Sequence, residues 1–390
     1  MPVFSTEQRL RVVLSLGLFS GLALSPVLWL TNRVYPHIPV TSVLGQIPEP
    51  FDAMAYGAML LLAVAIAFVP RPSYLMGLCV ALGFSLAMFD QSRWQPWFYM
   101  YMCMIAAIGW YLHRGGAIQG DKHPALNFCR LLVCCTYFWS GLHKWNVEFS
   151  DRVFAWMIQP LKDHLPAVLH PMILASSSAA PILESLIGIG LLLPRFRKLA
   201  VISGIGLHLF ILACIGPSGH NHNMVVWPWN LAMIGLLLTL FWKPASLSPK
   251  DILWCGGVAS QKLALLLFLI APALSMFNLW DEYLSFSLYA GRKNYPFVYV
   301  TNSYADRLPP DLQQHVFLTD TKGKNVFDVS DWSSGELNVP AYPEPRVYKK
   351  LAKQLCQYVK DPSELQLVIR RRVLFKPQFE DAYSCRALNE

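Results

Sequence analysis

The fold is decided by long stretches without charge, and the clearest is Ala53–Val69, which reads AMAYGAMLLLAVAIAFV. An apolar run of about 17 residues or more can cross the hydrocarbon core of a bilayer as a helix. Eight further stretches are mostly apolar: Val12–Leu30, Ser73–Phe89, Trp97–Leu112, Ala125–Trp145, Ser176–Leu193, Leu199–Gly216, Met224–Trp242 and Leu263–Trp280. Several are close to the short limit, so the sequence predicts an all-α integral membrane helical bundle of about 8–9 transmembrane helices.

The composition supports a membrane protein over a soluble one. The 390 residues are 54% hydrophobic and 14% charged, whereas soluble domains carry roughly 25% charged residues. The net charge of +8 is concentrated in short loops beside apolar runs, which is the pattern that orients membrane proteins. We therefore expect contact with the lipid bilayer and none with nucleic acid.

The Lys and Arg residues of alternate loops predict the orientation. One set contains Arg9, Arg11, Arg71, Arg114, Lys122, Arg195, Arg197, Lys198, Lys243, Lys250 and Lys262. The opposite set contains Arg33, Arg93, Lys144, Arg152 and Lys162. Positive loops stay in the cytoplasm. The larger set therefore predicts a cytoplasmic N-terminus, and nine crossings place the C-terminus outside.

The residues after Asp281 differ from the rest and predict a second domain. Residues 1–280 form the transmembrane domain, and Asp281–Glu390 mixes short strands such as Phe297–Val300 and Leu365–Ile369 with an amphipathic helix, Arg346–Val359. This mixture predicts a small extramembrane α+β domain. Cys356 and Cys385 can form a disulfide there if the compartment is oxidising. The run Arg370–Arg372 is either a solvated patch or a contact for lipid headgroups.

Ionisable residues at membrane depth are expensive, so each is a candidate for function. In the fifth stretch Tyr137, Ser140, Gly141 and Lys144 share one face of a helix. A partly desolvated Lys144 can act as a base, although a lysine at a helix end can also reach toward the headgroups. His143 points about 100° away from Lys144.

Glu184 and His208 lie at matched depth on sequence-neighbouring helices. Each is roughly 12 Å below the outer end of its helix at about 1.5 Å per residue. We therefore expect direct contact between them, either as a polar clasp between helices or as part of a proton relay or ligand site.

Two loops add candidate ligand contacts on the same outer side. His220, Asn221, His222 and Asn223 follow one helix, and the spacing of the two histidines alone is a weak metal signal, so no metal is expected. The turn Asp90–Trp97 contributes Asp90, Arg93 and Trp97, which can bind an anion or a ring. The alternatives are a structured loop with interfacial tryptophans and a turn held by its own salt bridges.

The run Tyr137-Phe138-Trp139-Ser140-Gly141-Leu142-His143-Lys144-Trp145, followed by a membrane glutamate and a helix with a histidine, resembles the HTTM family. That family includes the membrane part of vitamin K-dependent γ-carboxylase. The resemblance covers roughly Val12–Trp280, and Asp90…Arg93-Trp94-Gln95-Pro96-Trp97 looks like a motif of bacterial members. It implies that Lys144 is the base that deprotonates a quinol, and that Glu184 and His208 match polar positions of the family. It also implies the inner membrane of a bacterium.

Two departures from the carboxylase matter. The carboxylase has a second lysine where this chain has His143, and its larger luminal region is replaced here by Asp281–Glu390. We therefore do not expect carboxylation of protein glutamate. The leading expectation is an enzyme with carboxylase- or oxygenase-like chemistry that uses a quinol or another small lipid-soluble substrate, with Lys144, His143, Glu184 and His208 as catalytic candidates. The alternative is a non-catalytic quinone- or lipid-binding subunit with a membrane-protein partner.

Overall fold

A helix lies at each of the nine predicted stretches. The computed structural model describes residues 5–115, 118, 120–243, 247–254, 259–291, 294–319 and 324–389. The long helices are α1 (Thr6–Ala23), α2 (Phe51–Phe68), α3 (Ser73–Met88), α4 (Pro96–His113), α5 (Pro124–His143), α6 (Ala179–Leu192), α7 (Arg197–Ile215), α8 (Val226–Phe241) and α9 (Ala259–Phe277). Short helical turns fill the connections at Pro26–Trp29, Gln91–Arg93, Phe149–Phe154, Ala155–Met157, Gln159–Lys162, Ala167–Leu169, His170–Ala175, Ser176–Ser178 and Pro249–Leu253.

The chain is an α-helical membrane protein. Among the described residues, five helices are both long and apolar enough to cross a membrane, namely α2, α5, α7, α9 and the continuous Ala167–Leu192 that contains α6. The helices α3 and α8 are apolar but shorter. The count of eight or nine spans stays a prediction.

Helix α5 forms the centre of the bundle. In α5, 78% of the apolar stretch is buried inside the protein. In each of the other four membrane-length helices only 28–33% is buried. Two glycines let α5 and α6 pack closely: a Cβ on Gly141 would lie 2.4 Å from the Ser185 nitrogen, and one on Gly188 would lie 2.6 Å from the Cys134 carbonyl oxygen. The small residues that marked this face in the sequence therefore serve contact between helices.

Alternate loops gather at two opposite ends of the bundle. At the end that carries the N-terminus, Arg11 donates to the Val69 carbonyl at 2.9 Å and Arg197 donates to the Leu247 carbonyl at 3.1 Å. The polar loops around Asp90, Asn146 and Asn223 lie at the other end, where the C-terminal domain covers them. These loops therefore share one end of the bundle, and the side of the membrane on which they lie stays a prediction.

The C-terminal domain is built on one antiparallel sheet. Its strands are β1 (Asn294–Val300), β2 (Val316–Thr319), β3 (Lys324–Phe327), β4 (Leu365–Arg371) and β5 (Phe379–Ser384), in the order β2-β3-β1-β4-β5. Strand β1 is central because it pairs with β3 through Val298 and Phe327 and with β4 through Val298 and Leu367. The predicted strands lie within β1 and β4, whereas the sequence reasoning missed β2, β3 and β5.

The helices of this domain are α10 (Val329–Leu337) and α11 (Pro345–Leu355), with short turns at Tyr283–Ser285, Asn302–Ala305, Pro310–Gln313, Cys356–Tyr358 and Cys385–Asn389. The predicted helix Arg346–Val359 corresponds to α11 and the turn that follows it. Cys356 and Cys385 form a disulfide with their Cα atoms 5.6 Å apart. The possible bridge between them is thus present.

Side chains of the C-terminal domain bond directly to the bundle. Glu336 accepts hydrogen bonds from the Val34 and Tyr35 backbone at 2.6 and 2.9 Å. Arg346 donates to the Gln91 side chain at 2.7 Å, and Asn338 donates to the Leu24 carbonyl at 2.7 Å. These contacts seat the domain on the loop end of the bundle and enclose space between the two.

Candidate functional site

Lys144 and Glu184 form an ion pair between α5 and α6. The Lys144 ammonium donates to the two carboxylate oxygens of Glu184 at 2.8 and 3.0 Å, and to the Ser140 hydroxyl at 2.6 Å. Each of the two charged side chains is 11% exposed. Lys144 therefore turns into the bundle and does not extend toward the headgroups, and the close approach of α5 to α6 brings its partner within reach.

A second polar chain begins about two turns before Lys144 on α5, at Tyr137. The Tyr137 hydroxyl lies 2.5 Å from Nε2 of His208, and Nδ1 of His208 lies 2.7 Å from Oδ1 of Asn230. The Asn230 amide nitrogen donates to the Val226 carbonyl at 2.7 Å, which fixes Oδ1 as an acceptor. His208 therefore carries its proton on Nδ1, and Nε2 accepts the proton of the Tyr137 hydroxyl.

The Lys144–Glu184 pair and the Tyr137–His208–Asn230 chain are neighbours. The expected contact between Glu184 and His208 is absent among the described residues, so that prediction is wrong. Glu184 bonds to Lys144, and His208 bonds to Tyr137 and Asn230. Matched depth does not fix the rotation of a helix about its axis, and here Tyr137 takes the place facing His208. Glu184 still interacts electrostatically with Tyr137 and His208.

His143 lies on a different side of α5 from Lys144, as the helical geometry predicted. Its ring stacks on Trp139 with the centroids 5.5 Å apart, and its Nε2 lies 3.5 Å from the Ser275 hydroxyl on α9. The structure thus separates His143 from the Lys144–Glu184 pair, although the two residues are adjacent in the sequence.

The Asp90 turn is held largely by contacts with residues 28–33. Arg33 donates to Asp90, and Arg93 donates to the carbonyls of Leu28, Trp29 and Leu86 at 3.0, 2.9 and 2.8 Å. Burial alone raises the pKa of the Asp90 carboxyl, but the adjacent Arg33, together with His37 and Arg93, holds that pKa well below its usual value.

Trp97, at the start of α4, packs over Gly21, where a Cβ would lie 2.7 Å from its ring. Asp90, Arg93 and Trp97 are each at most 3% exposed. A salt bridge holds the turn, as in the second alternative, but its partner Arg33 lies outside the turn. A ligand would have to displace existing partners from Asp90 and Arg93.

The four candidates in the loop after α7, His220 to Asn223, have different surroundings. His220 stacks on Trp156 with centroids 4.3 Å apart and bonds to its carbonyl at 2.6 Å. Asn223 donates to the Tyr289 hydroxyl at 2.9 Å. Asn221, His222 and Asn223 line a cavity of about 830 Å³. Burial, aided by the neighbouring His220, lowers the pKa of the His222 imidazole, so His222 is neutral at physiological pH.

Two contributors were outside the predicted set of site residues. Asn230 follows the Trp-Pro-Trp sequence of α8 and lies one helical turn after Val226. Its polar side chain within the largely apolar α8 was the available signal. Arg33, the partner of Asp90, is separated from it by 57 residues and left no local pattern.

No known protein family, characterised protein or solved structure matches the chain in the three comparisons made.

Proposed function

We propose that this membrane protein is an enzyme that acts on a quinol or another lipid-soluble molecule, with the Lys144–Glu184 pair as its proton-transfer site. The observation that carries the proposal is this ion pair, placed between α5 and α6 with 11% of each side chain exposed. Charges inside a membrane protein are costly, and those that persist usually mark a pathway or a reaction centre.

The pair can supply a base without free charge. In a medium of low dielectric constant, transfer of the Lys144 proton to Glu184 gives a neutral amine and a neutral acid, which removes the cost of two buried charges. The amine can then accept a proton from a substrate hydroxyl, which leaves an ammonium beside the substrate oxyanion. Ser140 bonds to the same nitrogen and positions it.

Access from the bilayer fits a lipid-soluble substrate. On α6, Leu183 and Leu186 are 46% and 55% exposed on the face turned away from α5, and 11% of the Glu184 side chain is exposed beside the contact with α5. A substrate dissolved in the bilayer can therefore approach along this apolar surface. The resemblance to the HTTM family supports the same assignment, because it implies a quinol-deprotonating lysine at the position of Lys144 and carboxylase- or oxygenase-like chemistry.

We further propose nine crossings of a bacterial inner membrane, with the N-terminus in the cytoplasm and the C-terminal domain outside. The excess of Lys and Arg in the loops at the N-terminal end supports this orientation. In intact cells, a membrane-impermeant maleimide should label Ser363→Cys but not Lys198→Cys, both exposed positions. The opposite labelling pattern would reverse the orientation.

A second candidate function is a non-catalytic quinone- or lipid-binding subunit. It is favoured because the hydrogen-bonding capacity of Lys144 is already filled: its ammonium donates to Ser140 and to both oxygens of Glu184. In that case Lys144 would serve the architecture of the α5–α6 contact, and the protein would act through a membrane-protein partner.

Two measurements on protein purified from its native host separate these functions. Solvent extraction followed by mass spectrometry should find a quinone at a stoichiometric level in the wild type and a lower level in Lys144→Ala, with Lys198→Ala as the control for loss of an exposed lysine. Quinol-dependent oxygen uptake should vanish in Lys144→Arg, because a guanidinium does not release its proton at accessible pH. A bound quinone without turnover would favour the binding subunit, and the absence of any lipid-soluble molecule would contradict both.

A further inference from the structure

A large cavity lies between the C-terminal domain and the loops of the bundle. Its volume is about 830 Å³, within the range of about 300–1,000 Å³ that small-molecule sites occupy. One wall consists of Trp156 and Tyr289, and the facing wall is the side of α10 that carries Asp331, Ser334 and Asn338. We call this space the tail cavity. Lys144 and Glu184 do not line it, so it is separate from the proposed proton-transfer site.

The charge of the lining favours a cation. Its acids are Glu148, Glu282, Asp328 and Asp331, and the described lining contains one fixed cation, Arg152. Arg152 is paired with Glu148 at 3.0 Å, and Arg372, outside the lining, is paired with the other oxygen of Glu148 at 2.7 Å. Asp331 contacts His315 through one oxygen at 2.7 Å, and its side chain is 48% exposed. An anionic ligand would therefore meet mainly negative charge, whereas a cation would meet a carboxylate with room to bind.

Polar groups with spare capacity also line the tail cavity. Ser287 is 5% exposed, and its hydroxyl has no hydrogen-bond partner within the described part of the chain. A buried hydroxyl without a partner costs free energy, which a ligand that donates a hydrogen bond would recover. The rings of His222 and Trp156 meet edge to face, and the charge of Asp331 acts on His222. The two walls are thus close enough to act on one ligand.

The aromatic wall is held in a defined position. Tyr289 lies nearly parallel to Trp156, with an angle of 20° between the rings and a centroid distance of 6.4 Å. Asn223 fixes the Tyr289 hydroxyl. Both residues have left-handed backbone conformations, with φ of 49° and 53°, which non-glycine residues adopt at a cost and which concentrate at binding sites.

We propose that the tail cavity binds a protonated amine, either on a soluble molecule or on the headgroup of an aminophospholipid. The ammonium pairs with Asp331 and donates to the Ser287 hydroxyl, and the Tyr289 and Trp156 rings contribute cation–π attraction. The inference does not depend on the proposed proton chemistry, because no residue is shared between the two sites.

The test compares amines with neutral molecules of the same shape. Full-length protein in an uncharged detergent is melted with ethanolamine or ethylene glycol, and with putrescine or 1,4-butanediol, at equal ionic strength. The amines should raise the melting temperature and the diols should not. Ser287→Ala should lower the amine effect without lowering the unliganded stability, because its hydroxyl has no partner to lose. Asp331→Asn should reduce the effect to less than half, whereas Asp306→Asn, an exposed acid outside the cavity, should not change it.

The source of the amine is distinguished in lipid nanodiscs. If ethanolamine stabilises the protein in phosphatidylglycerol discs but has no effect in discs that contain phosphatidylethanolamine, the headgroup already occupies the tail cavity. A soluble amine acts in both. Equal effects of amines and diols, no effect of either amine in any medium, or amine effects unchanged in both Ser287→Ala and Asp331→Asn would each overturn the proposal.

Discussion

Two clusters of buried charge in the bundle are satisfied in different ways. Around Asp90, Arg33 and Arg93 donate largely to backbone carbonyls at the ends of helical segments, and the Arg33 and Asp90 side chains are fully buried. Around Lys144, the charge is paired with another side chain, and 11% of each partner is exposed. A guanidinium that is hydrogen-bonded to several carbonyl groups stabilises the packing of the segments that carry them. A side-chain pair with an accessible edge can exchange partners or protons.

The largest expected effect is the loss of Arg93. Arg93→Met removes three hydrogen bonds that a charged donor makes to the carbonyls of Leu28, Trp29 and Leu86. Since hydrogen bonds to charged groups contribute about 1.5–3 kcal/mol each, we expect more than about 3 kcal/mol of destabilisation. The yield of monodisperse protein and its melting temperature in detergent measure it. The exposed Arg71→Met is the matched control. Wild-type melting of Arg93→Met would remove the structural role assigned to this turn.

The second prediction concerns Lys144 and Glu184. Glu184→Gln and Lys144→Met each leave one buried partner and should cost about 1–3 kcal/mol. The double variant should cost less than the sum of the singles by more than about 0.5 kcal/mol, because neither charge is then orphaned. Detergent melting of the four proteins gives this difference directly. Additive effects would mean that the pair does not form in the folded protein.

A smaller effect is expected for the Tyr137 hydroxyl. Tyr137→Phe removes the bond to His208 but keeps the ring, so a loss of about 1 kcal/mol is expected. Adding His208→Phe to this variant should cost less than it does in the wild type. Tyr74→Phe, at a residue that is 76% exposed, should leave the melting temperature unchanged. If both tyrosine variants melt alike, the Tyr137–His208 bond contributes nothing to stability.

The last prediction is a pH dependence in the C-terminal domain, which develops gradually as the pH rises. Burial, with the charges of Asp281 and Glu282, raises the pKa of Glu344 from 4.5 to about 8. The folded protein therefore holds this proton more tightly than the unfolded chain does, and stability falls as the pH rises from about 4.5 to 8. Glu344→Gln keeps the acceptor for the Glu282 backbone N–H and should flatten this dependence by at least about 1 kcal/mol. An unchanged slope of melting temperature against pH would show that Glu344 titrates normally.

Hydropathy predicted the helices well because the bilayer imposes a single rule on every span, and Ala53–Val69 coincides with α2 almost residue for residue. The edge strand β2 was missed because Val316–Thr319 is too short for an alternating pattern to show. Strand β5 was missed because Phe379–Ser384 is polar and largely exposed.

The candidate site, like the fold, was predicted from the sequence only in part. Lys144 and Glu184 were identified as candidates because charge in an apolar run is visible in the sequence, and their role in catalysis stays a prediction. Their pairing was not predicted, since Glu184 was assigned to His208 on depth alone. The rotation of α6 that turns Glu184 toward Lys144 depends on Gly141 and Gly188, whose close contacts exist only after the helices pack.

The most direct test of the central claim is photoaffinity labelling with an azidoquinone in native membranes, followed by peptide mapping. We expect the label to attach to α5 and α6 beside Lys144 and Glu184. Excess unlabelled quinone should compete with it, and Lys144→Ala should lose it, whereas Lys198→Ala should retain it. Competed labelling that maps only to other helices, or that is unchanged in Lys144→Ala, would contradict the claim that a lipid-soluble molecule acts at this pair.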